Sequence, residues 1–186
     1  AGVIDAVGAG VTGFEVGDRV AAISIGGCWA ERLVVPVMSV VPLPAAVSFE
    51  VGAGTLLNYG TTLHALVDRA QLQAGESLLV LGAAGGVGTS AIELGSLLGA
   101  RVIAAASSDD KLAFCTGRGA VAGIHTGHED LKQRARALTD GRGVDVIYDP
   151  VGGDYAEPAL RAIGWQGRYL VIGFAAGEIP RIPLNL

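Results

Sequence analysis

Apolar and polar positions follow different rhythms in successive stretches of the chain. From residue 1 to about 45, Val, Ile and Ala alternate with polar residues between glycine turns such as Gly8-Ala9-Gly10 and Gly26-Gly27, which predicts β structure without a helix. Pro36, Pro42 and Pro44 each disfavour helix in the residue before them, so Val35-Pro36 to Leu43-Pro44 reads as an extended link and a domain boundary falls near residue 45. Ser48 then offers an N-cap with Glu50 in the first turn, and Leu63, Leu66, Val67 and Ala70 share a helical face. From Ser77 onward, apolar runs near 77–81, 101–106, 121–124, 144–148 and 168–173 alternate with helical stretches. That alternation predicts an α/β fold with a doubly wound parallel sheet. In one of its helices Leu131, Ala135 and Leu138 point inward, while Lys132, Arg134 and Arg136 form a solvated face.

The run Leu78-Leu79-Val80-Leu81-Gly82-Ala83-Ala84-Gly85-Gly86-Val87-Gly88 reads as a buried strand that delivers a glycine-rich turn into a helix. In a turn that receives a dinucleotide pyrophosphate, Ala83 keeps the chain tight, Gly85 lets the backbone approach the phosphates and Gly88 lets the helix pack against the strand. The helix start adds free N–H groups and the positive end of its dipole. A glycine-rich turn alone also occurs in other α/β proteins; the order around it decides the reading. Val87, Ala91, Leu94 and Leu98 share a helical face, Gly99 stands as a stop, and Val102 to Ala106 form the next strand. This is a βαβ unit built for a dinucleotide. A Walker A loop is excluded because Thr89 stands where its lysine belongs.

Composition narrows the function classes. With 186 residues, 51% of them hydrophobic, the chain can bury a proper core. A formal charge of -5 without a Lys/Arg cluster argues against nucleic acid as a partner. No apolar run reaches about 18 residues, so no transmembrane helix is expected. Cys28 and Cys115, far apart, fit a reduced cytoplasmic setting rather than a disulfide framework. The chain starts without Met, in a strand already under way, and is expected to be an internal piece of a longer protein. No Gly-x-Ser-x-Gly elbow is present, which removes the α/β-hydrolase reading.

At the end of the second strand, where a dinucleotide fold that prefers NAD carries Asp or Glu, this chain has Ala106, Ser107 and Ser108. The small hydroxyls leave room for a 2′-phosphate, and Lys111 one turn later supplies a charge partner, so NADPH is favoured. Two alternatives stay open: Asp109 or Asp110 serves the ribose, or Ser108 is an N-cap with Lys111 merely exposed.

Several segments, in order, carry a resemblance: Gly17-Asp18-Arg19-Val20, Ala30-Glu31-Arg32-Leu33-Val34-Val35-Pro36, Ala83 to Gly88, Gly143 to Asp149, Val151-Gly152-Gly153, and Gly167 to Phe174. Together they resemble the zinc-independent quinone oxidoreductase (zeta-crystallin-like) branch of the medium-chain dehydrogenase/reductase superfamily, over nearly the whole chain. The resemblance implies that residues 1–45 are the β-rich remnant of a GroES-like catalytic domain, and that 46–186 are a Rossmann domain truncated before its last strand. Zinc enzymes of the superfamily carry four close cysteines between the counterparts of Asp18-Arg19-Val20 and Ala30-Glu31. Only Cys28 lies there, and Asn58-Tyr59-Gly60 stands where those enzymes place a Cys or Asp ligand, so no metal site is expected.

The resemblance further implies cofactor contacts at Ala84, Gly85, Gly86, Val87 and Gly88, at Thr61 beside the nicotinamide, at Gly152 and Gly153 near the ribose, and at Gly173, Phe174 and Ala175 flanking the ring. Thr126 stands where NADPH-dependent members often place Tyr or His; His125 either substitutes for it or is a solvated strand-end residue. His64 and His128 have no paired carboxylate or Cys at catalytic spacing and are expected to be structural or surface residues, and no catalytic acid is named within the chain. The implied activity is hydride transfer from NADPH to a quinone or α,β-unsaturated carbonyl, by a homodimer when the protein is whole. An NADPH-binding protein without catalysis, structural or regulatory, is the alternative.

Overall fold

The computed structural model describes residues 1–183. They divide into two compact units, Ala1–Gly60 and the remainder from Thr61 onward. In the first unit β1 (Gly2–Val3), β2 (Arg19–Ala22) and β3 (Val40–Pro42) form an antiparallel sheet. Strand is scarcer than the alternation implies, because the stretch from Ile23 to Pro36 forms none. Arg19 ties the unit together: its guanidinium lies 4.1 Å from the Phe49 ring centre and donates to the Val47 carbonyl at 2.6 Å.

Helix α1 (Phe49–Leu63) starts as expected, with the Ser48 hydroxyl accepting from the Val51 N–H at 3.3 Å. It then widens into a π-helical turn at His64–Arg69, marked by the Ala70 N–H bonding to the Ala65 carbonyl. This widening corrects the expected face. Leu66 and Ala70 are buried, joined by Ala65, but Leu63 and Val67 are exposed, because the extra residue in the turn rotates them out of line.

The second unit is a five-stranded parallel sheet ordered β6-β5-β4-β7-β8. Its strands are β4 (Ser77–Val80), β5 (Arg101–Ala106), β6 (Ala122–His125), β7 (Val144–Asp149) and β8 (Ile163–Val171). Helices α2 (Gly86–Leu97), α3 (Asp109–Gly117), α4 (Leu131–Ala137) and α5 (Ala156–Leu160) connect them. All four β4 residues are buried, as a central strand covered on both faces requires. Leu78, Val80, Val102 and Val146 pack on one face with Leu66, Ala91 and Ile92; Leu79, Leu81, Ile103 and Ile147 pack on the other with Leu131, Ala135 and Ala159. The alternation of side chains along each strand makes that division.

Two local expectations shift. On α2, Ala91 is buried and Val87 and Leu94 pack on the core, but Leu98 lies exposed at the C-cap before Gly99. Strand β8 begins at Ile163, five residues before the apolar run suggests, because its pairing jumps from Val144↔Ile163 to Val146↔Arg168. The intervening residues bulge out, with Gln166 at φ +59°, and so break the apolar alternation that marks a strand. Among the described residues no helix is long and apolar enough to cross a membrane.

Arg168 of β8 clasps the turn before β4. Its Nη1 and Nη2 donate to Glu76 Oε1 at 2.7 Å and Oε2 at 2.6 Å, and its Nε donates to the Ala70 carbonyl at 3.0 Å. The hydrogen bonds from Arg168 hold the Glu76 carboxyl below its ordinary value of 4.5. A carboxylate with a lowered folded pKa stabilises above that ordinary value and loses its contribution as pH falls below it. Glu76→Gln is therefore expected to lower stability by about 1.5 kcal/mol at neutral pH. In denaturation at a series of pH values, the gap to wild type should shrink as pH falls below 4.5; a constant gap would contradict the ion-pair account.

Candidate functional site

Strand β4 ends against a turn with almost no spare room. A Cβ on Gly88 would lie 2.8 Å from both Ala83 Cα and the Ala83 carbonyl oxygen, and closer still to the Gly82 carbonyl oxygen. Only glycine allows the start of α2 to approach the strand end so closely. The tight turn itself falls to Gly82, at φ +55°, rather than to Ala83, which is buried and bonds by its N–H to the Ala105 carbonyl. A left-handed residue costs a glycine nothing, which is why the turn sits one residue earlier than expected. The N-cap Gly85 brings no side-chain cap, and the first intrahelical bond runs from Thr89 N–H to the Gly85 carbonyl. The N–H groups of Gly86, Val87 and Gly88 therefore have no partner within the helix, at its positive end, with Gly86 exposed and Gly88 buried against the turn.

A cavity of about 360 Å³ opens at this turn. Gly82, Ala84 and Gly85 line it from the turn, Ala106, Ser107, Lys111 and Thr126 from the ends of β5 and β6 and the start of α3, and Val151 and Tyr155 from the segment after β7. The place agrees with the rule that ligands of open α/β sheets sit at the carboxyl ends of the strands. A larger cavity, about 890 Å³, includes Asp130, Glu157, Arg161 and Arg181 and shares no lining residue with the first. It carries charges of both signs and takes Gly153, one of the expected contacts, into its lining, but no residue of the glycine turn after β4.

Of the expected contacts, Ala84, Gly85, Ser107 and Lys111 line the smaller cavity together. Lys111 Nζ donates to Ser107 Oγ at 3.0 Å, while Ser108 caps α3 by accepting from the Lys111 N–H at 3.4 Å. The capping role of Ser108 thus coexists with a free Ser107–Lys111 pair. Asp109 and Asp110 lie exposed in the first turn of α3 and line neither cavity. Thr126 lines the pocket where His125 does not; His125 instead stacks on His128 at 3.9 Å between ring centres. His64 is a surface residue, its Nδ1 lying 2.8 Å from Asp68 Oδ2. Their spacing along the helix brings them together as an exposed surface pair.

Gly152, Gly153, Gly173, Phe174 and Ala175 gather in a second group, beyond the ends of β7 and β8. Asp149 organises it. Its buried carboxylate accepts from the N–H groups of Val151 at 2.7 Å and Gly152 at 2.9 Å through Oδ1, and from the Tyr169 hydroxyl at 2.6 Å through Oδ2. Burial, and then Asp149 itself, push the Tyr169 phenol pKa far up, so its proton stays in place. The Ala175 N–H bonds to the Pro150 carbonyl, and a Cβ on Gly152 would lie 3.0 Å from Phe174 Cδ1.

Thr61 is half-buried in the last turn of α1 and lines neither cavity. Its neighbour Thr62 is fully buried, with Oγ1 2.7 Å from Ser90 Oγ of α2 and 2.8 Å from Tyr148 Oη of β7. Thr62 belongs to no motif, and Asp149 and Tyr169 lie in the segments Gly143 to Asp149 and Gly167 to Phe174, which carried the resemblance without pointing to their roles. Among the described residues no group of three or more His, Cys, Asp or Glu could hold a metal ion; Cys28 is exposed and Cys115 buried in α3.

Residues 86–186 match the family described as zinc-binding dehydrogenase. A quinone oxidoreductase-like protein 2 homolog from Nematostella vectensis is 40% identical over 182 residues, 97% of this chain and 50% of that protein. The solved quinone oxidoreductase of Pseudomonas syringae superposes with a TM-score of 0.92 at 38% identity, covering 99% of this chain and 57% of that one. The Escherichia coli quinone oxidoreductase, solved in complex with NADPH, superposes with a TM-score of 0.90 at 32% identity, over 99% of this chain and 57% of that one. The chain thus spans about half the length of the curated relatives it matches.

Thr62→Val is expected to cost about 1–3 kcal/mol, because it strips the buried Tyr148 hydroxyl of its partner. Adding Tyr148→Phe should recover part of that loss in chemical denaturation; strictly additive losses would show that the two hydroxyls do not interact.

Proposed function

Since the chain belongs to the zinc-binding dehydrogenase family and, with it, to the quinone oxidoreductases of the medium-chain dehydrogenase/reductase superfamily, we propose that it forms the cofactor-binding part of an NADPH-dependent oxidoreductase. In this reading residues 1–45 are the tail of a GroES-like catalytic domain and 46–186 the Rossmann domain. The observation that carries it is the glycine turn opening onto the same cavity as the Ser107–Lys111 pair.

The residues fit the cofactor's chemistry. The N–H groups of Gly86, Val87 and Gly88 would receive the pyrophosphate, Ser107 and Lys111 the 2′-phosphate, and Thr61, Gly152, Gly153, Gly173, Phe174 and Ala175 would flank the nicotinamide and its ribose. When bound, NADPH supplies a hydride, delivered to a quinone or to the β-carbon of an enone. The chain's part is to bind and orient: a helix end and a lysine for phosphates, and a rigid loop pair held by Asp149 for the ring side. Zinc independence is part of the proposal, supported by the lone Cys28 in the interval where zinc enzymes carry four cysteines.

Fluorescence titration with NADPH and NADH side by side tests the cofactor. NADPH should bind more tightly, and Lys111→Ala should weaken NADPH by about tenfold while leaving NADH unchanged. Equal or tighter NADH binding would overturn the NADPH preference and turn attention to Asp109. Turnover of 1,4-benzoquinone by the whole protein tests the reaction; tight NADPH binding without turnover would favour the non-catalytic alternative.

A further inference from the structure

Tyr155 contributes the one aromatic ring in the lining of the cavity at the glycine turn. The residue is 37% exposed, and among the described residues its hydroxyl makes no hydrogen bond. An exposed phenol keeps its donor and acceptor capacity for a molecule that enters the cavity.

The backbone brings Tyr155 to this place through several constraints. Asp149 Oδ1 pins the N–H groups of Val151 and Gly152. Gly152 at φ +67° and Gly153 at φ +56° then reverse the chain into a short 3-10 turn, Gly153–Tyr155. Two successive left-handed residues are within reach of glycine and strained for other side chains. The same segment packs on the glycine turn: a Cβ on Gly82 would meet Val151 Cγ2 at 2.8 Å. The phenol is thus held in the lining of the same cavity as Gly82, Ala84 and Gly85 of the turn, whose Gly85 stands one residue before the start of α2. A pyrophosphate presents more acceptor oxygens than one helix start can satisfy, and a neutral hydroxyl adds a donor without adding charge.

We propose that Tyr155 is a further cofactor contact, its hydroxyl donating a hydrogen bond to a pyrophosphate oxygen of the bound dinucleotide. The proposal rests on the dinucleotide reading above and extends it to a residue outside the glycine motif. Because NADPH and NADH share the pyrophosphate, the contact is blind to the 2′-phosphate and acts on both.

Titration of wild type and Tyr155→Phe with NADPH and with NADH separates the outcomes. The expected result is a weakening of about tenfold for both cofactors, with the melting temperature of the free protein unchanged. Unchanged affinity for both would overturn the proposal. A loss confined to NADPH would also overturn it, placing the hydroxyl on the 2′-phosphate instead. A lowered melting temperature of the free variant would reveal an internal partner for the hydroxyl and count against it. If wild type binds neither cofactor, the dinucleotide reading itself fails, and this contact with it.

Discussion

The contact on which the rest depends is the approach of α2 to the end of β4 at Gly88, where no Cβ can be accommodated. It aims the first turn of α2, with its N–H groups unpartnered within the helix, at the carboxyl end of the sheet. A side chain there would push the helix away by several tenths of an ångström at least, and the helix start would no longer meet the turn. The core then holds the approach in place, since Ala91 and Ile92 on α2 pack against Leu78, Val80 and Val102. Close packing leaves such a helix few other positions.

Two buried polar nodes secure what surrounds that contact. The Thr62, Ser90 and Tyr148 hydroxyls bind the last turn of α1, helix α2 and strand β7 at one point. The Asp149 carboxylate binds the segments after β7 and β8 through Val151, Gly152 and Tyr169. Each is satisfied by partners within the protein, which is the condition under which a buried polar group specifies geometry instead of weakening the core. Both sit at the ends of strands, where a ligand needs fixed positions.

Electrostatics at the site run against the charge of the whole. The chain carries -5 overall, yet the proposed ligand is itself an anion. Local groups decide this, because salt screens exposed charges beyond about 8 Å at physiological ionic strength. A helix start and Lys111, at contact distance, outweigh carboxylates farther off. The Lys111–Ser107 bond is exposed and adds little to stability; its position at the pocket is what makes it useful.

The sequence by itself determined the alternation of strand and helix from Ser77 onward, the parallel sheet it implies, the glycine turn and the Ser48 cap. All of these rest on local periodicity or on the conformational preference of a residue and its near neighbours. It misplaced the face of the helix at Leu63 and Val67 and the start of β8 at Ile163, because a π turn and a bulge each change the register that periodicity assumes. Only the tertiary structure decided that Thr62 meets Tyr148, 86 residues away, that Arg168 clasps Glu76, 92 residues away, and that Tyr155 lines the cavity at the glycine turn. Such pairs form where separate strand ends converge in space, and no spacing along the chain encodes which ends will meet.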